Sequence, residues 1–201
     1  METLKAIYTR RAIRNYTGAP IMSDVLLPLL HAAVQAPSAV NQQPWVFAVY
    51  QGRQKLHDYS ERAKAVFASQ MQPGGIENDE LRETLTDPHF NIFYNATTLV
   101  VILAKPTGLD PINDCFLAAQ NFMLTAHAAG LGTCPIGFAR PWLNLPETKR
   151  ELSIPDELNA VFPLIIGYPD ETPEAPPRNE PQIVAWEVSQ LDQLSHAVAE
   201  A

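Results

Sequence analysis

The sequence predicts one domain, residues 1–201, in which helices cover a sheet of buried strands. The chain has 201 residues, of which 46% are hydrophobic and 18% charged, and this is the balance of a globular domain with a real core. The run from Thr97 to Ala104 is apolar and β-branched without a break, which is typical of a strand in the middle of a sheet. The run from Asn113 to Ala129 has helical periodicity, and Gly130 after it suits a left-handed cap.

The remaining helices are predicted from apolar periodicity and from residues that cap or break a helix. Ser23 or Asp24 can cap the second helix, and Pro28 is expected near its first turn, where proline costs least. The predicted ranges are Glu2 to Thr9, Ser23 to Gln35, Arg53 to Gln70, Asn78 or Asp79 to Leu85, Leu191 to Ala199 and, as helix or short turns, Pro141 to Leu152. Apolar faces are expected through Leu4, Ile7 and Tyr8 on the first helix, and through Phe116, Ala119, Gln120, Met123, Ala126 and His127 on the long one.

The other strands and the irregular segments follow from apolar runs and from proline and glycine. Strands are expected at Val46 to Tyr50, Val161 to Gly167 and Ile183 to Val188. Pro163 has no N–H, so we expect it at a sheet edge or at an irregular position of the ladder. The acidic, proline-rich stretch Asp170 to Pro181 is expected to run extended over the surface. The stretch Gln72 to Asn78 is expected to be flexible, and Met71 to Phe90 to be mobile, as in loops that cover a site.

The net charge of −8 limits the possible partners, because it argues against non-specific binding of nucleic acid or of an anionic membrane surface. The N-terminus lacks the apolar segment of a signal peptide, and the longest apolar runs are too short to span a bilayer. Two cysteines make no disulfide framework. We therefore expect a cytoplasmic protein that binds neither nucleic acid nor membranes.

A compact basic cluster follows the first helix. Arg10, Arg11 and Arg14 lie within five residues, in a chain that is acidic overall. Arginine binds phosphate in a planar, bidentate way that lysine cannot match. A solvated charged turn is the alternative, but Ile13 within the cluster needs burial and would hold the arginines against apolar structure. The cluster is thus a candidate phosphate site.

The stretch Ala36 to Trp45 forms a rigid, amide-rich loop between a helix and a buried strand. Asn41, Gln42 and Gln43 stand in a row, and Pro44 favours an extended conformation at Gln43. Carboxamides carry both donors and acceptors, so such a row can bind the edge of a flat heterocycle. Taken alone, the loop is explained more simply as a polar turn that bonds its own backbone.

The run Leu131 to Phe138 presents backbone at a second candidate position. Gly130 and Gly132 suggest a dinucleotide-binding loop, but a helix precedes them instead of a strand, and proline occupies the place of the third glycine. Pro135, Ile136 and Gly137 are better suited to close backbone approach to a flat ring. Cys134 has no histidine near it in sequence and is interpreted as a small buried packing residue.

Taken together, these motifs resemble those of the FMN-dependent nitroreductase family. The resemblance covers nearly the whole chain in the right order, through Arg10 to Arg14, APSAVNQQPW, GLGTCPIG, and Ile166 to Pro169 with Arg178. It implies an α+β fold with a central, mostly antiparallel sheet flanked by helices. It also implies a homodimer that exchanges a C-terminal arm and binds two FMN molecules at the subunit interface.

The resemblance also assigns roles to individual residues. Phosphate is implied to bind at Arg10, Arg11, Ala12, Arg14 and Arg178, and backbone near flavin N5 is implied at Pro135, Ile136 and Gly137. The other subunit is implied to contribute Pro37, Ser38, Ala39 and Asn41, and Gln43 is also implied to bind the cofactor. Two departures weaken the phosphate site, because the family often has serine where this chain has Ala12 and lysine where it has Pro176.

The implied activity is transfer of hydride from NADH or NADPH, through FMN, to a nitroaromatic, a quinone or a similar small acceptor by a ping-pong mechanism. The cofactor carries the chemistry, so no catalytic side chain is assigned and no metal is expected. Two alternatives remain open. One is a flavin-binding or storage protein without turnover, and the other is a specialised dehalogenase or flavin-degrading enzyme on the same fold.

Overall fold

The computed structural model describes residues 1–71 and 76–187, which form an α+β fold around one antiparallel sheet. Its strands are β1 (Trp45–Gln51), β2 (Thr98–Ala104), β3 (Gly132–Pro135) and β4 (Asn159–Gly167), in the spatial order β1-β2-β4-β3. Every pairing between these four strands is antiparallel, and all residues of β2 are buried. The predicted fold class and the interior position of the Thr97 to Ala104 strand are therefore confirmed.

Helices cover both faces of this sheet and create two apolar clusters. The helices are α1 (Thr3–Thr9), α2 (Ser23–Ala33), α3 (Arg53–Gln70), α4 (Ile76–Thr86), α5 (Pro111–Ala128), α6 (Arg140–Leu143) and α7 (Pro146–Glu151). Alternate residues of β2 point to opposite faces, as strand geometry requires. Leu99 and Val101 belong to the cluster that contains α3 and α6, whereas Val100 and Ile102 belong to the cluster that contains α2 and α5.

The proline in β4 is in the interior of the sheet, so the edge position expected for it is wrong. Pro163 pairs with Val101 of β2, and the ladder shifts register beside it, between Ile102 and Leu103. The carbonyl of Pro163 accepts a hydrogen bond from Ile136 N at 2.9 Å. In an antiparallel strand the N–H and C=O groups of one residue point to the same side. The Pro163 carbonyl points towards the end of β3, so the N–H that proline lacks would also have pointed there, and the hydrogen bonds to β2 are not affected. The expectation of an irregular ladder is confirmed.

Several details of the helices differ from the predictions. No side chain caps α2: its cap residue is Met22, Ser23 is already helical, and Pro28 lies inside the helix and not in its first turn. On α5, Phe116 and Gln120 are exposed, and the buried apolar side chains are Cys115, Ala118, Ala119, Phe122, Met123 and Ala126. The expected apolar residues of α1 are also exposed, and only Ala6 of that helix is buried.

The segment Arg10 to Tyr16 is fixed across the ends of β3 and β4. Ile13 N donates to Thr133 O at 3.0 Å, and Ile13 is only 5% exposed, as predicted. A side chain at Gly132 would begin 2.6 Å from Ile13, and one at Gly167 would begin 2.6 Å from the Tyr16 ring. Only glycine permits this close approach, which holds the arginine cluster at the β3 edge of the sheet.

The C-terminal part of the chain leaves the sheet as an extended arm. Residues 172–183 have no helix or strand, as expected for the proline-rich stretch. The strand predicted at Ile183 to Val188 is wrong for residues 183–187, which are irregular and leave Val184 and Trp186 exposed. No neighbouring strand is available to pair with them in the described residues. The predicted helix Leu191 to Ala199 and the glycine-rich residues 72–75 lie outside the described residues.

In the described ranges no helix is both long and apolar enough to cross a membrane.

Candidate cofactor site

The arginine cluster lines a cavity together with the C-terminal arm. This arginine cavity has a volume of about 320 Å³ and is lined by Arg10, Arg11, Ala12, Arg14, Pro173, Glu174, Pro176 and Arg178. The fold thus brings Arg178 beside residues that are far from it in sequence. All five residues predicted at the phosphate site line this one cavity. Both departures from the family pattern, Ala12 and Pro176, also fall on its wall.

Positive charge in the arginine cavity is only partly compensated. Burial lowers the pKa of Arg10, and the neighbouring charges of Arg11 and Arg178 lower it further. Glu174 is the one carboxylate on the described wall. Arg11 has a second role, because its Nη1 donates to Tyr8 O and Arg10 O, both at 2.8 Å, where α1 ends. The arrangement favours an anion with more than one negative charge.

A second cavity opens next to the first, and Arg14 lines both. This ring cavity has a volume of about 420 Å³, and its wall is formed by Arg14, Phe67, Ile92, Tyr94, Cys134, Pro135, Ile136, Gly137, Phe138 and Arg140. The three residues expected to face a flat ring are therefore together on one wall. A Cβ placed on Gly137 would meet nothing within 4 Å, so its backbone is open to the cavity.

Cys134 behaves as the packing residue that the sequence indicates. It is 3% exposed, and burial raises the pKa of its thiol, although Arg14 and Arg10 act in the opposite direction. A thiol with a raised pKa is a poor nucleophile at neutral pH. Nothing in this environment argues for a covalent role.

The sequence does not indicate six of the ten residues that line the ring cavity, namely Phe67, Ile92, Tyr94, Cys134, Phe138 and Arg140. Phe67 and Phe138 form an edge-to-face pair with ring centroids 4.9 Å apart. Lys64 is buried on α3, and its Nζ donates to Asp87 O at 3.0 Å and to Phe90 O at 2.6 Å. Ser60 Oγ accepts from Ile92 N at 3.0 Å. These bonds hold the segment that carries Ile92 and Tyr94, and a lysine on the buried face of α3 was the available signal.

The amide-rich loop lies elsewhere in the protomer, and none of Pro37, Ser38, Ala39, Asn41 and Gln43 lines either cavity. In the sheet, Pro135 of β3 pairs with Leu164 of β4, and Leu164 pairs with Val100 of β2. Val100 pairs in turn with Val49 of β1, so Pro135 and Val49 lie at the same level of the sheet. The loop enters β1 at Trp45, so it is about 14 Å across the sheet and about 13 Å along it from Pro135. Within one chain, the two sets of predicted residues are therefore roughly 20 Å apart.

The contacts of this loop fit a turn that bonds itself. Gln43 N donates to Ser38 Oγ at 3.0 Å, and Gln43 Nε2 donates to Asn41 Oδ1 at 3.0 Å. The backbone of Ala39 donates to the buried carboxylate of Asp114 on α5 at 3.2 Å. The extended conformation expected at Gln43 is wrong, because its φ is +47°. The left-handed turn leaves the three amides exposed at the surface.

Comparison with known proteins gives the same answer as the motifs. The sequence profile described as "Nitroreductase family" matches residues 7–168. A protein of Archaeoglobus fulgidus, provisionally named NADH dehydrogenase/NAD(P)H nitroreductase, is 31% identical over 175 residues, which are 85% of this chain and 87% of that protein. An iodotyrosine deiodinase of Thermotoga neapolitana is 26% identical over 176 residues, with 85% of this chain and 90% of that protein covered.

A solved structure agrees with these sequence relatives. The crystal structure of a nitroreductase with bound FMN from Bacteroides fragilis matches with a TM-score of 0.78 and 26% identity, and the match covers 94% of this chain and all of that one. The resemblance inferred from the four motifs is therefore confirmed, since profile, relatives and fold agree over most of the sequence. This chain is a member of the nitroreductase family.

Proposed function

We propose that this protein is an FMN-dependent oxidoreductase that takes hydride from NADH or NADPH and reduces a nitroaromatic, a quinone or a similar small acceptor. One observation carries the proposal: the arginine cavity and the ring cavity adjoin, and Arg14 lines both. A ligand with a phosphate at one end and a flat ring at the other fits this pair of cavities. The relatives support both choices, because the Archaeoglobus protein is named for NAD(P)H as donor and the Bacteroides structure contains FMN.

The arginine cavity has the chemistry that a flavin phosphate requires. Arg10, Arg14 and Arg178 supply charged donors, and the lowered pKa of Arg10 reflects burial and like charges that a phosphate would offset. Arg11 adds charge, although part of its donor capacity is used at the end of α1. Ala12 and Pro176 supply no side-chain donor, so the arginines must provide most of the binding energy.

The ring cavity offers an open wall of backbone and apolar side chains to a flavin ring. Pro135, Ile136 and Gly137 form this wall, and Gly137 has no side chain to keep the ring away. When bound, FMN supplies the redox chemistry, accepting hydride at N5 and passing electrons to the acceptor. Arg14 is the cation at the junction of the two cavities, where it would stabilise negative charge on the ring.

Replacing Arg10 or Arg14 with alanine is expected to weaken FMN binding about tenfold or more, because a hydrogen bond to a charged group contributes about 1.5–3 kcal/mol. Fluorescence titration of the flavin-free protein with FMN measures the effect. Arg53→Ala is the matched control, since Arg53 is exposed at the start of α3 and lines neither cavity. Unchanged affinity in both cavity variants would remove the phosphate role.

We also propose that the active form is a homodimer. The amide-rich loop lies roughly 20 Å from the ring cavity of its own chain, so a second copy is needed to bring it to that cavity. The exposed apolar residues of α1 and of the arm, among them Ile7, Tyr8, Val184 and Trp186, need a covering surface. Exchange of the C-terminal arm between protomers would supply part of that surface.

Donor and acceptor are proposed to use the ring cavity in turn. The described part of the chain builds one antiparallel sheet, not the parallel sheet on which a dinucleotide-binding fold depends. Within the described residues no separate domain is present for the nucleotide, and we propose that it reaches the same open cavity as the acceptor. Such sharing gives ping-pong kinetics, with parallel double-reciprocal plots against NAD(P)H at several quinone concentrations.

The absorption spectrum of the purified protein tests the cofactor, because bound flavin absorbs in the visible blue. Steady-state oxidation of NAD(P)H with a quinone then separates an enzyme from a flavin-storage protein. A yellow protein that turns over NAD(P)H is expected. A yellow protein without turnover would support the storage alternative, and a colourless protein that does not take up FMN would contradict the proposal.

A dehalogenase is the second candidate function, and the similarity to the Thermotoga iodotyrosine deiodinase favours it. Such an enzyme would bind FMN at the same two cavities and would differ in the substrate that it binds against the flavin ring. Release of iodide from an iodinated phenol by the chemically reduced protein, measured with an iodide electrode, distinguishes the two. Iodide release without NAD(P)H:quinone turnover would favour the dehalogenase.

A reducing, cytoplasmic location is proposed as well. Cys115 and Cys134 are both free and buried in the described fold, where no disulfide supports the structure.

A further inference from the structure

A third cavity shares part of its wall with the ring cavity. This outer cavity has a volume of about 520 Å³ and is lined by Phe67, Gln70, Gly137, Arg140, Pro141 and Asn144. It shares Phe67, Gly137 and Arg140 with the ring cavity, whereas the arginine cavity meets the ring cavity at Arg14. Arg140 therefore belongs to a different boundary of the ring cavity from the phosphate cluster.

The backbone of Arg140 is held in place. Its carbonyl accepts from Asn144 Nδ2 at 2.9 Å and from Asn144 N at 3.3 Å. The same Asn144 side chain is tied to β4, because Nδ2 also donates to Ala160 O at 3.0 Å and Oδ1 accepts from Ala160 N at 2.9 Å. Arg140 is thus anchored to an interior strand, and its side chain projects from a fixed point.

The side-chain N–H groups of Arg140, unlike its backbone, are not engaged in hydrogen bonds within the described residues. Among residues 1–71 and 79–187, the Arg140 guanidinium donates no hydrogen bond and forms no ion pair, and no acidic side chain lines the outer cavity. Two other arginines, by contrast, are engaged: Arg62 pairs with both oxygens of Glu151, and Arg82 donates to Met71 O. Arg140 is therefore a half-buried cation whose N–H donors are available, in a protein of net charge −8. These properties are those of an arginine that binds an anion.

The surroundings of Arg140 indicate what else that anion carries. Phe67 and Phe138 line the ring cavity beside it as an edge-to-face pair, and they offer apolar surface to an aromatic group. The guanidinium fork matches the two oxygens of a carboxylate or a phosphate. A single ligand could contact both, with an aromatic ring in the ring cavity against the phenylalanines and an anionic group at Arg140.

We propose that Arg140 and the outer cavity form a subsite for an anionic group of the molecule that exchanges electrons at the ring cavity. The inference rests on the proposed oxidoreductase function. The anion has two possible sources with the same chemistry, namely a carboxylate on the acceptor and a phosphate on the nucleotide donor. In either case Arg140 is a specificity-determining residue that favours charged substrates over neutral substrates of the same shape.

The test compares wild type, Arg140→Gln and Arg140→Lys as FMN-loaded proteins. Calorimetric titration with 4-nitrobenzoate and 4-nitrobenzamide, which have nearly the same shape and different charge, examines the acceptor. KM for NADH and NADPH with a neutral quinone examines the donor. Arg53→Gln removes the same charge at the far end of α3, about 26 Å along the helix from Gln70, and serves as the control.

We expect Arg140→Gln to weaken binding of 4-nitrobenzoate about tenfold and to leave that of 4-nitrobenzamide unchanged, with partial rescue by lysine. A rise of similar size in KM for the nucleotides, without that loss, would instead assign the subsite to the donor phosphate. Equal losses for acid and amide, unchanged binding and KM throughout, or a lowered FMN content alone would overturn the inference. Failure of the proposed function is distinguishable, because it would show as absent flavin and absent NAD(P)H oxidation in the wild type.

Discussion

Gly137→Val is expected to abolish FMN binding and leave the fold intact. Apart from its chain neighbours, the new side chain would meet no atom of the described chain within 4 Å of its Cβ, so it would occupy open space at the wall of the ring cavity, where we place the flavin. The melting temperature of the flavin-free variant should stay within about 2 °C of wild type, as for a substitution that makes no new clash. Flavin content after purification and FMN titration of the flavin-free protein measure the loss.

Gly132→Val is the matched control, because the same change at the start of β3 meets the opposite environment. There the added Cβ would lie 2.6 Å from Ile13, in the contact that fixes the arginine segment to β3. Overpacking of this kind costs about 1–3 kcal/mol, so this variant should melt at a clearly lower temperature. A Gly137→Val protein that purifies with wild-type flavin content would show that the ring cavity does not hold the cofactor.

Truncation after Pro169 is expected to yield monomer or aggregate without bound flavin. The change removes Arg178 from the arginine cavity and the whole exposed arm, including Val184 and Trp186. Light scattering gives the oligomeric state, and the visible spectrum gives the flavin content. A well-behaved truncated dimer that keeps its flavin would show that the arm is not needed.

Two full-length variants separate the roles of the arm. Arg178→Ala should keep the dimer and weaken FMN binding, since it removes only a phosphate donor. Val184→Ser combined with Trp186→Ser should weaken the dimer, because it removes apolar surface that we expect the partner subunit to cover. If the double variant is as dimeric as wild type at low protein concentration, the arm does not contribute to association.

Local sequence predicted the parts of the fold that local chemistry determines. The interior strand β2 followed from an unbroken apolar run, and the end of α5 followed from Gly130, whose φ is +79° as a left-handed cap requires. The arginine cluster and the Pro135 to Gly137 wall were recognisable because their residues are adjacent in sequence. Arg178 could be added only through the family resemblance.

Tertiary packing determines the buried face of α5, the position of Pro163 and the lining of the ring cavity, which local sequence did not predict. On α5, Cys115, Phe116 and Leu117 are all apolar, so periodicity alone could not select the buried face. Pro163 could enter an interior strand because β3 ends beside it. The ring-cavity residues that local sequence did not indicate come from α3, from the segment before β2, and from β3, the turn after it and the start of α6, and only the folded chain brings them together.

The proposed function requires that one cavity serve both halves of a two-electron transfer through bound FMN. Anaerobic stopped-flow mixing of the FMN-loaded protein with NADH or NADPH, without any acceptor, tests it most directly. The visible flavin band should bleach in a single half-reaction and return when a quinone is added. A band that does not bleach until the acceptor is present, together with intersecting double-reciprocal plots, would require a ternary complex and a separate nucleotide site, and would contradict the shared cavity.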